Sequence, residues 1–271
     1  MSSRADREKE AQKKWNRYLV AVLIVIIICV VSYVNFVEPF IERTEDQCRK
    51  DGVVSIETAF IIDATDHFSE SQAERINLEV KDIIESAEID ERFTVYVLDD
   101  KFSDANSKIP HIIVCNPGDA KGKSKLTNNL RRLNKNWDEK FYSQITSTIE
   151  NLVGEGRANQ SPILEMIEFA SISTMSKSKA KSKRMILISD MLHHNKEYSH
   201  YTSSHDFEEF KRLAYYVDVR PQLRDVDVKI FYLASSKNIS LQKIRHANFW
   251  KNYVLNAGGK LDSEEFMTSV N

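Results

Sequence analysis

The chain has 271 residues, of which 42% are apolar and 29% charged, with only 7 Gly and 5 Pro, so a fibrous or disordered chain is excluded and a globular core of ordinary size is expected. Its 38 basic and 40 acidic residues nearly cancel to a formal charge of −2. No global positive field is available for nucleic acid, which is not expected as a partner.

Near the start, Tyr18 to Val37 reads YLVAVLIVIIICVVSYVNFV without a charge. At roughly 1.5 Å per residue such a stretch covers about 30 Å, the thickness of a bilayer's hydrocarbon core. It exceeds the h-region of a cleaved signal peptide, and bulky Tyr33, Asn35 and Phe36 follow in place of a small-residue cleavage site. The expectation is a retained transmembrane helix over 18–37. Before it stand Arg4, Arg7, Lys9, Lys13, Lys14 and Arg17 against three acids, whereas Glu38 to Asp51 carries five acids against three bases. The basic side stays in the cytoplasm. The expected organisation is therefore a cytoplasmic tail (1–17), the span (18–37), a juxtamembrane linker (38–54) and an extracytoplasmic domain (55–271). Protease added outside intact spheroplasts should digest that domain, and full protection would reverse the topology.

Cys29 lies in the span, leaving Cys48 and Cys115 as an even pair in a compartment where disulfides persist. They are expected to bond.

From Ser55 onward, short apolar runs alternate with amphipathic stretches. Strands are predicted at Glu57 to Asp63, Arg92 to Leu98, His111 to Cys115, Arg184 to Asp190 and Val226 to Ala234. Helices are predicted at Ser69 to Glu88, Asn136 to Leu152, Ser161 to Met175, Asp206 to Val217 and Leu241 to Ala257. Ser69 and Gln72 form a capping box for the first of these helices. Pro117-Gly118 suits a type II turn closing the third strand. Such alternation builds an α/β fold, a doubly wound and mostly parallel sheet with helices on both faces.

Polar residues cluster at strand ends. Asp63 closes the first strand with Thr65 two residues on, Asp190 closes RMILISD, and Ser161 precedes Pro162 at a helix start. Ligands of open parallel sheets bind beyond the carboxyl ends of the strands. Two carboxylates and two hydroxyls there suit a hard cation such as Mg²⁺. Taken singly, each residue has a plainer reading as a helix cap or loop turn.

Together these pieces resemble the von Willebrand factor type A family, in which a D-x-S-x-S loop, a Thr or Ser opening a later helix and an Asp ending the next strand make a metal-ion-dependent adhesion site. The matches are Asp63-Ala64-Thr65, Ser161 and Asp190, in that order, over roughly Ser55 to Ala257. The pieces IIDATD, CNPGD, SPI, LISDML and FW…AGG are also similar to membrane-anchored bacterial proteins with this domain. The resemblance implies Mg²⁺ or Mn²⁺ held by Asp63, Thr65, Ser161 and Asp190, with a partner protein offering a carboxylate to the metal. It also implies the inner or cell membrane of a bacterium, with the domain in the periplasm or otherwise outside. One departure stands out: His67 replaces the second serine and Asp66 adds a carboxylate. Imidazole suits Mn²⁺ or Zn²⁺ better than Mg²⁺. Asp66, His67 and Ser69 are therefore additional metal or rim candidates. The alternatives are a metal-free scaffold with a vestigial site and a phosphatase-like hydrolase. The hydrolase needs an Asp two positions beyond Asp63, where Thr65 stands, and no G-x-S-x-G elbow offers acyl transfer. The expectation is a binding protein, not an enzyme.

Two further segments carry chemistry-bearing residues. His193, His194, His200 and His205 fall in a stretch that reads as a solvated polar loop, with a zinc site or a pH-sensitive rim as the sharper readings. Ser176 to Arg184, SKSKAKSKR, reads as a flexible basic linker able to touch lipid headgroups, anionic polymer or an acidic partner.

Overall fold

A computed structural model describes residues 4–36, 41–65, 68–98, 109–125, 128–152 and 160–268. The chain divides into two compact units, Met1–Ile41 and Glu42–Asn271. In the first, helix α1 (Arg4–Phe36) runs unbroken for 33 residues. Its segment Gln12–Tyr33 is long and apolar enough to cross a membrane. The expected tail is thus helical from Arg4 on, because RADREKEAQKK is rich in strong helix formers. Val37, the last residue of the expected span, lies outside the described residues.

The second unit is a six-stranded sheet ordered β3-β2-β1-β4-β5-β6. Its strands are β1 (Ile56–Asp63), β2 (Arg92–Leu98), β3 (Ile112–Cys115), β4 (Ser182–Ser189), β5 (Val226–Ala234) and β6 (Lys260–Thr268). All neighbours are parallel except β2 and β3. Side chains alternate between faces along each strand. Phe60, Ile62, Ile186 and Ile188 join one core with Ile76, Val80 and Ile84 of α2 (Glu70–Glu85) and Ile145 and Ile149 of α4 (Ser143–Leu152). Ala59, Ile61, Met185 and Leu187 join the other, with Leu164 and Ile167 of α5 (Ile163–Ala170) and Phe249, Trp250 and Tyr253 of the later helix Ile244–Asn256. Both faces of β1 and β4 are therefore covered, as the unbroken apolar runs FII and MILI require.

Several elements differ from expectation. Helix α3 (Leu130–Trp137) precedes α4 and is joined to it by a π-helical turn at Asp138–Tyr142. The helix expected over 161–175 ends in another such turn at Ser171–Met175. The helix expected over 206–217 is two short ones, α6 (Phe207–Phe210) and α7 (Tyr215–Asp218), with Asp206 capping the first; α8 is Ile244–Asn256. Strand β6 was not expected at all. Gly118 takes φ +82°, as the third position of a type II turn demands, while Asn116 Oδ1 accepts from its N–H.

The segment read as a linker, 38–54, belongs to the domain from Glu42 onward. Cys48 and Cys115 are joined, closing a loop of 67 residues in sequence separation. Arg43 and Arg49 both pair with Asp90, at 2.7 and 3.3 Å, and the Ser55 N–H donates to the Asp90 carbonyl. Charged residues are thus concentrated at the amino ends of the strands. There the fully buried Glu57 pairs with Arg92, and the fully buried Glu91 with Arg184 and the Thr58 hydroxyl. The chain enters the domain at this edge.

Candidate functional site

The strand order reverses between β1 and β4, which opens a crevice at their carboxyl ends. Asp63, the last residue of β1, is buried there. Its Oδ1 accepts from the Thr65 N–H at 3.0 Å and the Thr65 hydroxyl at 2.5 Å. Its Oδ2 accepts from the Ser161 hydroxyl at 3.0 Å and the Ser189 hydroxyl at 2.8 Å. The carboxylate therefore gathers Thr65, Ser161 and Ser189.

Each partner is held by its own backbone. Ser161 exchanges two backbone hydrogen bonds with His194, at 2.8 and 2.9 Å. It does not cap α5, whose N-cap residue is Pro162. Ser189 was missing from the sequence candidates. Ile62 pairs with Ile188, so the next residue of β4 lies alongside Asp63, and a serine ending the strand in LISD was the available signal. Asp190 follows at the strand end, with Oδ1 accepting from the Leu192 N–H at 2.7 Å and its carbonyl from Gln242 Nε2 at 2.9 Å. Asp190 also borders a cavity of about 350 Å³ lined by Phe68, Gln72, Tyr201, Leu233, Ser235, Lys237 and Asn238. The next residue, Met191, holds φ +62°, a costly conformation for a side chain without a turn role and of the kind found beside functional sites.

Of the additional candidates, Ser69 is engaged elsewhere. It is the N-cap of α2, accepting from the Gln72 N–H while the Gln72 side chain accepts from its own. Asp66 and His67 lie outside the described residues. Among the described residues, no group of three or more His, Cys, Asp or Glu is placed to hold a metal ion. The donor set at issue is instead two hydroxyls and carboxylates, which suits hard cations. A hydroxyl that donates its proton to Asp63 keeps its lone pairs, so Thr65 and Ser161 meet the chemical requirement for ligating such a cation. Ser189 has one lone pair fewer to offer, because its oxygen also accepts from the Met191 N–H at 2.7 Å.

The histidine segment corrects the expectation of a solvated loop. His193 and His200 are fully buried, together with His246 of α8, which sequence reading had not singled out. His246 Nε2 lies 3.0 Å from His200 Nδ1, and the Trp250 indole N–H donates to the Met191 carbonyl at 2.9 Å. The His193 and His200 rings pack on Tyr198 and Phe249, against which Phe210 packs in turn, and these give the segment its core. Desolvation dominates their titration. It lowers His193 and His246 to about 3, and burial with the neighbouring imidazoles holds His200 well below the usual histidine value. His193 is engaged with Leu164 and Tyr215, His246 with Tyr232 and His200, and His200 Nδ1 with the Met191 carbonyl, so the layer braces the chain just after Ser189 and Asp190, while the buried His200 Nε2 has no hydrogen-bond partner among the described residues.

No family model and no curated protein matches the chain. Among solved structures it is similar to the VWA domain of SpRpn10, at 11% identity and a TM-score of 0.40, over 80% of this chain and 88% of that one. The PilB minor pilin from Streptococcus sanguinis matches at 12% identity and a TM-score of 0.39, over 81% of this chain and 58% of that one. Proximal thread matrix protein 1 from the mussel byssus matches at 15% and 0.38, over 80% and 42%.

Proposed function

We propose that the chain is a single-pass membrane protein whose domain is a von Willebrand A-like protein-binding module, with its site at the carboxyl edge of the sheet. In this reading Thr65, Ser161 and Asp190 hold Mg²⁺ or Mn²⁺, Asp63 and Ser189 orient the hydroxyls, and a carboxylate of a partner protein completes the shell. The carrying observation is that Asp63 takes the protons of both the Thr65 and the Ser161 hydroxyls. Such bonds present two hydroxyl oxygens as acceptors before any ligand arrives, a form of preorganisation. A binding role is favoured over hydrolysis because donors surround both oxygens of Asp63, which stabilises its anion and blunts it as a nucleophile. The placement also suits recognition. Chain entry and site lie at opposite ends of β1, whose eight residues span about 26 Å.

A metal-free scaffold is the second reading, favoured by the same carboxylate, since its two oxygens are already met by four donors of the chain itself. Metal affinity separates the two. Ser161→Ala is expected to weaken Mg²⁺ or Mn²⁺ binding by about tenfold or more in calorimetric titration, the loss of one ligand being of the order of a kcal/mol or more. Unchanged affinity removes Ser161 from the ligand set.

A further inference from the structure

The basic run 176–184 is ordered. The Ser178 N–H donates to the Thr174 carbonyl and the Ala180 N–H to the Ser178 hydroxyl, at 3.1 and 3.2 Å. Ser178 and Ala180 are buried, whereas Lys177, Lys179 and Lys181 between and beside them are exposed. Burial of the two small residues turns the three lysines outward. Beside them opens a cavity of about 720 Å³, lined by Lys183, Arg220 and Arg224 against one acid, Asp225, with Val217 left 76% exposed at its wall. All of this lies at the amino edge of the sheet, before β4 and β5, the edge at which the chain enters through Arg43, Cys48 and Arg49.

We infer that this basic edge binds the phosphate headgroups of anionic phospholipid in the membrane that α1 enters. The inference rests on reading α1 as a membrane span. A soluble phosphate would share the chemistry, but the chain length favours lipid. Only residues 37–41 separate α1 from the domain, a reach of at most about 20 Å. Arg184, at the start of β4, pairs with Glu91 beside β2, so the lysine-bearing segment is fixed to the entry side of the sheet. Juxtamembrane bases gain from a negative leaflet within roughly a Debye length of its surface. The exposed Val217 fits the apolar boundary below the headgroups.

The experiment uses the full chain reconstituted into vesicles of phosphatidylcholine alone or with phosphatidylglycerol, labelled with a water-soluble amine reagent and read by mass spectrometry. Lys177, Lys179 and Lys181 are expected to label about threefold more slowly in the anionic vesicles, with Lys237 at the opposite edge unaffected, and the protection to vanish in about 0.5 M salt. Equal labelling of the three lysines in both vesicles overturns the proposal. So does equal protection in neutral vesicles on adding inorganic phosphate, which would assign the edge to a soluble anion. Extraction of the chain from both vesicles by alkaline carbonate is a different failure, that of the membrane span, and removes the premise as well.

Discussion

Acidification from pH 7 to pH 5 is expected to destabilise the domain by about 4 kcal/mol through His193 and His246 alone, about 2 kcal/mol each. Both are neutral in the folded chain, with burial lowering them from 6.5 to about 3. Because the folded values are depressed, their contribution is fully present above the unfolded value of 6.5. It is lost progressively as pH falls from there toward 3, since only the unfolded chain takes up the protons in that window. His200 acts in the same direction. Glu165 does not rescue His193, because its Oε2 stands 3.8 Å from Nδ1, a nitrogen that the Leu164 N–H already approaches. The range between pH 6.5 and 5 lies above ordinary carboxylate titration, so the histidines dominate it. Urea unfolding of the detergent-solubilised chain at pH 7, 6 and 5 measures the effect, and His246→Gln should flatten the slope by about one proton's worth. A midpoint that does not move between pH 7 and 5 contradicts this account of the histidine layer.

Replacing Cys48 and Cys115 by serine is expected to cost about 4 kcal/mol, an upper figure because native strain subtracts from it. The bond closes a loop of 67 residues that contains β1, α2 and β2, and so removes much of the freedom of the unfolded chain. The folded geometry needs little adjustment, with the two Cα atoms 4.7 Å apart and the Cys115 N–H already bonded to the Asp46 carbonyl. The damage should be global and not confined to the entry segment, because Arg43, Arg49 and Ser55 still fasten that segment to Asp90. The urea midpoints of the oxidised wild type and the double serine variant test this. Equal midpoints, or rapid labelling of both thiols in the native protein, contradict it.

The strands with unbroken apolar runs were legible because a parallel strand covered on both faces leaves no ambiguity of period: FII in β1 and MILI in β4 announce themselves. Strand β6 was not, since KLDSEEFMT carries three acids and no alternating apolar pattern, and among the described residues it pairs only with β5. Helix α3 escaped for a related reason: none of its residues is buried. The basic run looked flexible because lysine and serine alternate. That alternation is what tucks Ser178 and Ala180 in and turns the lysines out.

At the site, Asp63, Thr65, Ser161 and Asp190 were legible as polar residues ending strands or opening a helix, where sheet topology brings chain ends together. Ser189 was hidden by its neighbour, since an acid at a strand end draws the eye and a serine does not. Ser69 could be read either as a cap or as a ligand, and the capping box with Gln72 decides for the cap. The histidines looked solvated because the residues around them are polar. Their partners, Phe249, Trp250 and His246, come from a helix about 50 residues later, a pairing that local pattern does not carry.

Metal binding at the carboxyl edge of the sheet is tested by calorimetric titration of the detergent-solubilised full chain with Mg²⁺ and Mn²⁺, beside an Asp63→Ala, Asp190→Ala double variant. Saturable binding by the wild type that disappears in the double variant is the predicted result. Absence of binding by a folded wild type, or binding that the double variant retains in full, contradicts the claim and leaves the carboxylate of Asp63 as the keystone of a metal-free scaffold.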